Sequence, residues 1–317
     1  MPVAADIRLG LVGAGRWGKN YITSIASVPG ARLVAVASRN PITAALVPAG
    51  CRIVGEWRRI VEAADIDGIV VASPPATHVE ILGAAIQAGK PVMIEKPTVV
   101  SAEQAQSVRQ LLVDRSATIV VDHVHLYDQA FRLLRERVTT LGPIRGILSS
   151  AGNFGPYRKD VSILWDWAPH DIAMCLAVCP GPIRPISARK LRSCWVDGAL
   201  AETIALELDG GGADVQIHLS TLEPKHRWFA VRLEDRTLVY RDAGARTLVQ
   251  LGPNEDIRAA GHTLFTSPEP PLTRAIIEFT EAVRAGDRTR ESIELGLSTV
   301  DLICEFEKMS AASQNSN

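Results

Sequence analysis

The sequence predicts an N-terminal α/β domain built on a doubly wound parallel sheet, followed by an α+β domain with an open, mostly antiparallel sheet. Three observations lead there. The first third alternates short apolar runs with helix-forming segments, and a glycine-rich turn follows the first run. From residue 186 to 251 strand-like segments succeed one another with no helix between them. The length of 317 residues also exceeds what one core usually serves, which favours two domains.

Taken in order, Ile7–Val12 reads as a buried strand, and a helix runs from the glycine turn to about Ser27. Residues 32–38 and 68–72 are further buried strands. Pro74-Pro75 precedes a helix over 76–88 that Gly89 ends. Residues 91–95 form the next strand, and Ser101 opens a helix with Gln104 three residues on, the capping-box pattern. Residues 117–122 close the series. Near-continuous apolar strands separated by helices mean a parallel sheet covered on both faces. The texture changes after Asp122, so the expected domains are 1–122 and 123–317. The second opens with a helix over 128–141 and a strand over 144–150, then a short helix over 167–178. Six strands follow, and helices over 272–285 and 292–310 end the chain.

Composition excludes several classes. The formal net charge is −1 and no basic run is present, which argues against nucleic acid. Apolar stretches are strand-length, far short of the ~20 residues that cross a bilayer, so no membrane partner is expected. A strand begins almost at the N-terminus, leaving no room for a signal peptide. Five scattered cysteines read as reduced thiols, including Cys175 and Cys179 one helical turn apart. A cytoplasmic location is expected.

The turn Gly13-Ala14-Gly15-Arg16-Trp17-Gly18 carries the first chemical signal. Between a strand and a helix, the first glycine permits a tight turn, and the second lets backbone approach a pyrophosphate. The third lets helix and strand pack closely, with the helix N-terminus facing the anion. This setting predicts a Rossmann domain that binds NAD(P). The second strand ends Ala37-Ser38-Arg39 where NAD enzymes often carry a carboxylate. A hydroxyl and a guanidinium suit a 2′-phosphate, giving a lean to NADP. The alternative is that Arg39 is a surface loop residue.

Glu95-Lys96-Pro97 ends the strand that starts at Pro91, where a doubly wound sheet places its ligand crevice. The chain has seven lysines, so a lysine kept here draws notice. Lysine is a compact charge suited to a position beside an alcohol or carbonyl oxygen, although a structural salt bridge is the other reading. In Asp166-Trp167-Ala168-Pro169-His170-Asp171, Asp166 and His170 share a face if the segment is helical. Pro169 requires the first turn of that helix. Asp166 as N-cap and His170 as a core residue is one reading, and a proton-transfer pair is the other.

The order of the glycine turn, Ser73-Pro74-Pro75-Ala76-Thr77-His78, Glu95-Lys96-Pro97 and Asp166-x-x-x-His170 resembles the Gfo/Idh/MocA oxidoreductases over the whole chain. The resemblance implies a Rossmann domain plus an open antiparallel sheet used for oligomerisation, as a homodimer or tetramer. It implies that Lys96 positions substrate and nicotinamide, that His170 handles the hydroxyl proton, and that Asp166 is its partner at the substrate. By the same resemblance Ser73, Pro74, His78 and Glu95 lie along the nicotinamide ribose. Residues 157–161 (YRKDV), running into Trp165 and Asp166, look like the branch acting on nucleotide-linked sugars at a ring hydroxyl. Enzymes acting at C3 of a UDP-N-acetylhexosamine are the comparison. Arg158 would then serve a diphosphate or carboxylate, or face solvent as a loop residue. His123 and His125 share a strand face in this reading, but no acidic or cysteine ligand accompanies them, and no metal is expected.

The expected function is reversible hydride transfer between nicotinamide and a secondary alcohol of a sugar ring. Rivals are a free-sugar or inositol dehydrogenase, a redox-assisted glycosidase that keeps its NAD, and a non-catalytic cofactor-binding regulator. The pairing of Lys96 with His170 speaks against the last.

Overall fold

The computed structural model describes residues 5–113 and 115–314. These fall into two compact units. One runs up to Val124 and takes in Glu269–Val300; the other holds His125–Pro268 and the helical residues from Asp301 onward.

In the first unit β1 (Ile7–Val12) leads to α1 (Gly18–Ala26) and β2 (Ala31–Ala37). Then come β3 (Arg52–Val54), α2 (Arg58–Val61), β4 (Gly68–Val71) and α3 (His78–Gln87). β5 (Val92–Glu95), α4 (Ala102–Val113) and β6 (Ile119–Asp122) complete the series. The strands form one parallel sheet in the order β3-β2-β1-β4-β5-β6. Strand order reverses between β1 and β4, the switch point at which such sheets bind ligands. Every residue of β4 and β5 is buried, which is why both read as unbroken apolar runs.

Local signals hold closely. Gly89 follows α3 with φ +66°, the left-handed residue that ends a helix. Ser101 Oγ accepts from the Gln104 amide, while the Gln104 side chain reaches back one residue beyond the usual box, to the Val100 N–H.

The second unit begins with α5 (Gln129–Val138), capped by the Asp128 carboxylate on the Ala130 amide, and β7 (Gly146–Gly152). α6 (Ile163–Asp166) and α7 (Ala168–Val178) follow. Seven strands come next: β8 (Arg184–Val196), β9 (Ala199–Asp209), β10 (Asp214–Ser220), β11 (His226–Arg232), β12 (Thr237–Arg241), β13 (Thr247–Leu251) and β14 (His262–Thr266). With β7 they make an eight-stranded sheet ordered β14-β13-β12-β11-β7-β10-β9-β8. All neighbours are antiparallel except β7 and β10, which run parallel in the middle. On β10 Val215, Ile217 and Leu219 are buried while Asp214 and Gln216 are exposed. The apolar face packs on α5 and α7 through Phe131, Ile172, Phe229 and Tyr240.

α8 (Pro271–Ala285) and α9 (Glu291–Gln314) end the chain. Chain order alone places α8 in the second domain, but its contacts put it in the first unit. The reason is a packing seat: the Phe279 ring lies over Gly68 at the start of β4, where an added Cβ would stand 3.1 Å from Cζ. α9 is shared, its first ten residues counting with the first unit. Among the described residues no helix is long and apolar enough to cross a membrane.

Candidate active site

The glycine turn is built as its spacing requires. Gly13 has φ +97°, and a Cβ there would stand 2.7 Å from the Ala72 carbonyl oxygen. A Cβ on Gly18 would collide with the Gly13 carbonyl, so α1 is locked against the turn. Gly15 is the opposite case: nothing lies within 4 Å of its would-be Cβ, and its backbone is open to a ligand. α1 starts with no side-chain cap; its Lys19, Asn20 and Tyr21 amides bond back to the carbonyls of Gly15 and Trp17, so the open backbone at Gly15 is where an anion can approach the helix end. Arg16 is exposed and Trp17 is 40% exposed beside this opening. The residues fit a dinucleotide pyrophosphate.

At the end of β2, Ser38 Oγ lies 2.8 Å from Thr43 Oγ1 and accepts from the Asn40 amide at 3.2 Å. Arg39 is exposed and paired with Glu56 at 2.8 Å. The missing strand-end carboxylate is thus replaced by one that holds the arginine from a neighbouring segment. Beyond β4, Ser73 Oγ contacts Thr77 Oγ1 at 2.7 Å and Pro74 is exposed. His78 is fully buried, and its ring bridges the carbonyl oxygens of Ser73 and Pro97, each 3.0 Å away. A neutral imidazole can donate to only one of these, and burial lowers the pKa of the ring. His78 therefore ties the end of β4 to the turn after β5.

Glu95 and Asp122 are register partners at the C-terminal ends of β5 and β6, and both are buried. The Tyr21 hydroxyl donates to Asp122 Oδ2 at 2.6 Å. The Lys96 amide donates to Glu95 Oε2 at 3.2 Å, and the Trp17 indole and the Tyr21 phenol lie close enough to the Glu95 carboxyl to favour its ionised form. Burial, reinforced by the neighbouring Asp122 charge, pushes Glu95 well above the usual carboxylate range. Burial raises Asp122 to about 6, with the Tyr21 hydrogen bond, Glu95 and Lys96 acting the other way. His123 follows directly, buried and lowered to about 3, first by burial and then by the Lys96 charge. Trp17, Glu95 and Lys96 were legible as site residues; Tyr21 and Asp122 were not. A lone carboxylate ending the apolar run Ile119–Asp122 is the one signal from which the latter could have been found.

In the second unit, Asp166 ends α6 and Trp167 is the residue before α7. The N-cap reading of Asp166 does not hold: Trp167 occupies the cap without a side-chain bond, and Pro169 sits in the first turn as expected. Asp166 Oδ1 instead accepts from Arg158 at 3.3 Å, and the same guanidinium grips Asp160 at 2.6 Å. The Trp165 indole donates to Glu307 at 3.1 Å. His170, in the first turn of α7, meets the His125 ring edge-on with centroids 4.9 Å apart. His125 Nδ1 lies 3.4 Å from the Tyr240 hydroxyl and 3.7 Å from the Asp242 carboxylate. Burial raises the Asp242 pKa. A cavity of about 170 Å³ beside these residues is lined by Asn153, Trp167, His226, Arg227 and Asp242 among others. Behind His170, Asp171 is fully buried and pairs with Arg227 at 2.9 Å while accepting from Ser149 Oγ at 2.6 Å.

The strand face expected to carry both His123 and His125 does not exist. β6 stops at Asp122, and His125 sits in a 3-10 turn, Val124–Tyr127. Among the described residues no group of three or more histidine, cysteine or acidic side chains could hold a metal ion. All five cysteines are free thiols, and burial raises Cys179 to about 12.

Residues 7–123 match the model of the oxidoreductase family with an NAD-binding Rossmann fold, Gfo/Idh/MocA. A solved structure from Magnetospirillum magnetotacticum MS-1, described as an oxidoreductase, is 39% identical with a TM-score of 0.88. That likeness covers 94% of this chain and 99% of that one. The chain belongs to the Gfo/Idh/MocA oxidoreductase family. An inositol 2-dehydrogenase of Rhizobium meliloti (strain 1021) is 34% identical over 205 residues. The match takes in 62% of this chain and 61% of the relative's own length. The UDP-N-acetylglucosamine 3-dehydrogenase of Acidithiobacillus ferrooxidans shares the fold at a TM-score of 0.81 and 20% identity, covering 98% of this chain and 99% of that one.

Proposed function

We propose that the chain is an NAD(P)-dependent oxidoreductase acting on a secondary hydroxyl or ketone of a sugar ring. The observation that carries this is the convergence at one sheet edge of the open Gly13–Gly18 turn, Ser73 and the Glu95-Lys96 strand end. Bound nicotinamide supplies or accepts the hydride. Lys96 stabilises charge on the reacting oxygen, and His170 takes its proton during oxidation. Asp166 holds the substrate beside His170, assisted by Trp165. Ser38 and Arg39 favour NADP, on condition that Arg39 exchanges Glu56 for the 2′-phosphate.

The substrate class proposed is a nucleotide-linked hexose, on the strength of residues 157–161 leading into Asp166. Arg158 would give up one of its two carboxylates to a diphosphate. The inositol 2-dehydrogenase likeness supports a second reading, a free polyol. A cytoplasmic homo-oligomer is also proposed, because the edge strand β8 exposes Ile186, Leu191 and Trp195.

The test is a panel of nucleotide sugars, free sugars and inositols, with NAD and NADP, followed by reduced-cofactor absorbance. A nucleotide sugar reducing NADP with kcat/KM at least about tenfold above any inositol is expected. Turnover of inositol alone overturns the substrate class. An aryl glycoside cleaved without net cofactor reduction points to the glycosidase rival. His170→Ala should cut kcat by about 10²–10⁴-fold, and wild-type turnover would remove its role.

A further inference from the structure

Glu95 and Asp122 are buried carboxyl groups on adjacent parallel strands, in register, so their side chains leave the same face of the sheet. Each keeps one oxygen that meets no donor: Glu95 Oε1 and Asp122 Oδ1. Around them stand the Trp17 indole from the glycine turn, the Tyr21 hydroxyl from α1, the Lys96 ammonium beyond β5 and the His123 ring beyond β6. Two ionised carboxylates are acceptors only and cannot bond to each other. One proton between them gives both stranded oxygens a partner and leaves the pair with a single negative charge opposite Lys96.

We propose that Tyr21 and Asp122 are positioning residues of the cofactor site, holding Glu95 through a single shared proton. Glu95 in turn fixes the Lys96 backbone, beside the Trp17 indole. The arrangement joins the glycine turn, α1 and two strand ends into one cross-braced floor, and the inference rests on the cofactor reading given above. Directions of titration agree with it. Burial raises both carboxyls, while the Tyr21 hydroxyl, which donates to Asp122, lowers Asp122. Asp122 also raises Glu95 through its charge. Protonation of the second carboxyl in acid removes a negative charge that faces Lys96, which disfavours the cationic ring of oxidised nicotinamide more than the neutral reduced ring.

Two measurements test this. Isothermal calorimetry on the full chain gives the affinity for oxidised and reduced cofactor across pH. The wild type should lose affinity for the oxidised form near pH 6, with the reduced form much less affected. Asp122→Ala should move that acid limb to higher pH, because the remaining Glu95 carboxylate loses the proton its partner shares with it, whereas Asp122→Asn, which offers an amide donor in its place, should keep it close to the wild type. Tyr21→Phe should move it to higher pH, because a donor to the ionised form is gone. Asp122→Asn should also recover most of the affinity that Asp122→Ala loses. Limbs that stay in place in Asp122→Ala and Tyr21→Phe, or that move to lower pH, overturn the proposal. The second measurement is infrared spectroscopy of the wild-type protein near neutral pH. A buried protonated-carboxyl band that disappears in Asp122→Asn or Glu95→Gln is expected, and its absence in the wild type overturns the shared proton without any variant having to fold. If the wild type binds neither NAD nor NADP, the cofactor reading fails, whereas the infrared band still decides the proton.

Discussion

Replacing Arg227 by Met tests how the second unit holds His170 in place. Arg227 lies on β11 and is 14% exposed in its side chain; its partner Asp171, next in sequence to His170, is 0% exposed. Met keeps the apolar stem and removes the charge, stranding the Asp171 carboxylate with Ser149 as its one donor side chain among the described residues. Breaking a buried pair from one side costs roughly 3–5 kcal/mol, because the remaining charge is left uncompensated. At about 2–4 °C per kcal/mol for a unit of this size, the loss is roughly 6–20 °C in Tm. Urea unfolding followed by tryptophan fluorescence reads it, since Trp167 and Trp228 flank the pair in sequence. Adding Asp171→Asn to Arg227→Met should restore about half of the loss or more, because the stranded charge is gone while Ser149 keeps an acceptor. A single variant within about 1 kcal/mol of wild type, or a double variant that loses the sum of the singles, would show that Arg227 does not compensate the buried Asp171 charge.

Further outcomes follow from the same geometry. Gly13→Ala places a Cβ against the Ala72 carbonyl at φ +97° and should weaken cofactor binding at least about tenfold, read by calorimetry. Arg39→Ala should lower affinity for NADP while leaving NAD within about twofold; equal losses for both cofactors would place Arg39 outside the 2′-phosphate site. His123 has its folded pKa depressed from 6.5 to about 3, so the unfolded chain binds more protons in that window. Its contribution is therefore complete above pH 6.5 and is lost as the pH falls towards 3. Asp122, raised from 3.8 to about 6, acts with the opposite sign, lowering stability as pH rises between those values. His123→Leu should thus leave a protein whose stability declines from pH 4 to 6, while Asp122→Asn steepens the acid loss. Denaturant midpoints across pH decide between these slopes.

How much the sequence revealed depended on where each residue's partners lie. β1, β4 and β5 are buried on both faces, so their composition announced them. β3 did not: it is three residues long, at the sheet edge, with Arg52 and Ile53 exposed. β14 was missed for a similar reason, an edge strand with an irregular register and few buried side chains. The parallel pairing of β7 with β10 depends on strand order in space, which apolar alternation does not encode. Nor did chain order disclose that α8 covers the first sheet, since its seat is a single glycine 211 positions from Phe279. In the site, Gly13–Gly18 and Lys96 stood out because their chemistry is local. Tyr21 and Asp122 meet across 101 residues, and His170 meets His125 across 45, so neither pair has a sequence signature.

Hydride transfer to a sugar carbon is read most directly by isotope tracing. Reduced cofactor carrying two deuteriums at nicotinamide C4 is incubated with the keto form of whichever panel sugar supports turnover, and the product is examined by NMR. Deuterium on the ring carbon bearing the new hydroxyl, lost in His170→Ala and Lys96→Met, is the expected result. Product without deuterium at that carbon, or formed equally well by both variants, contradicts the account.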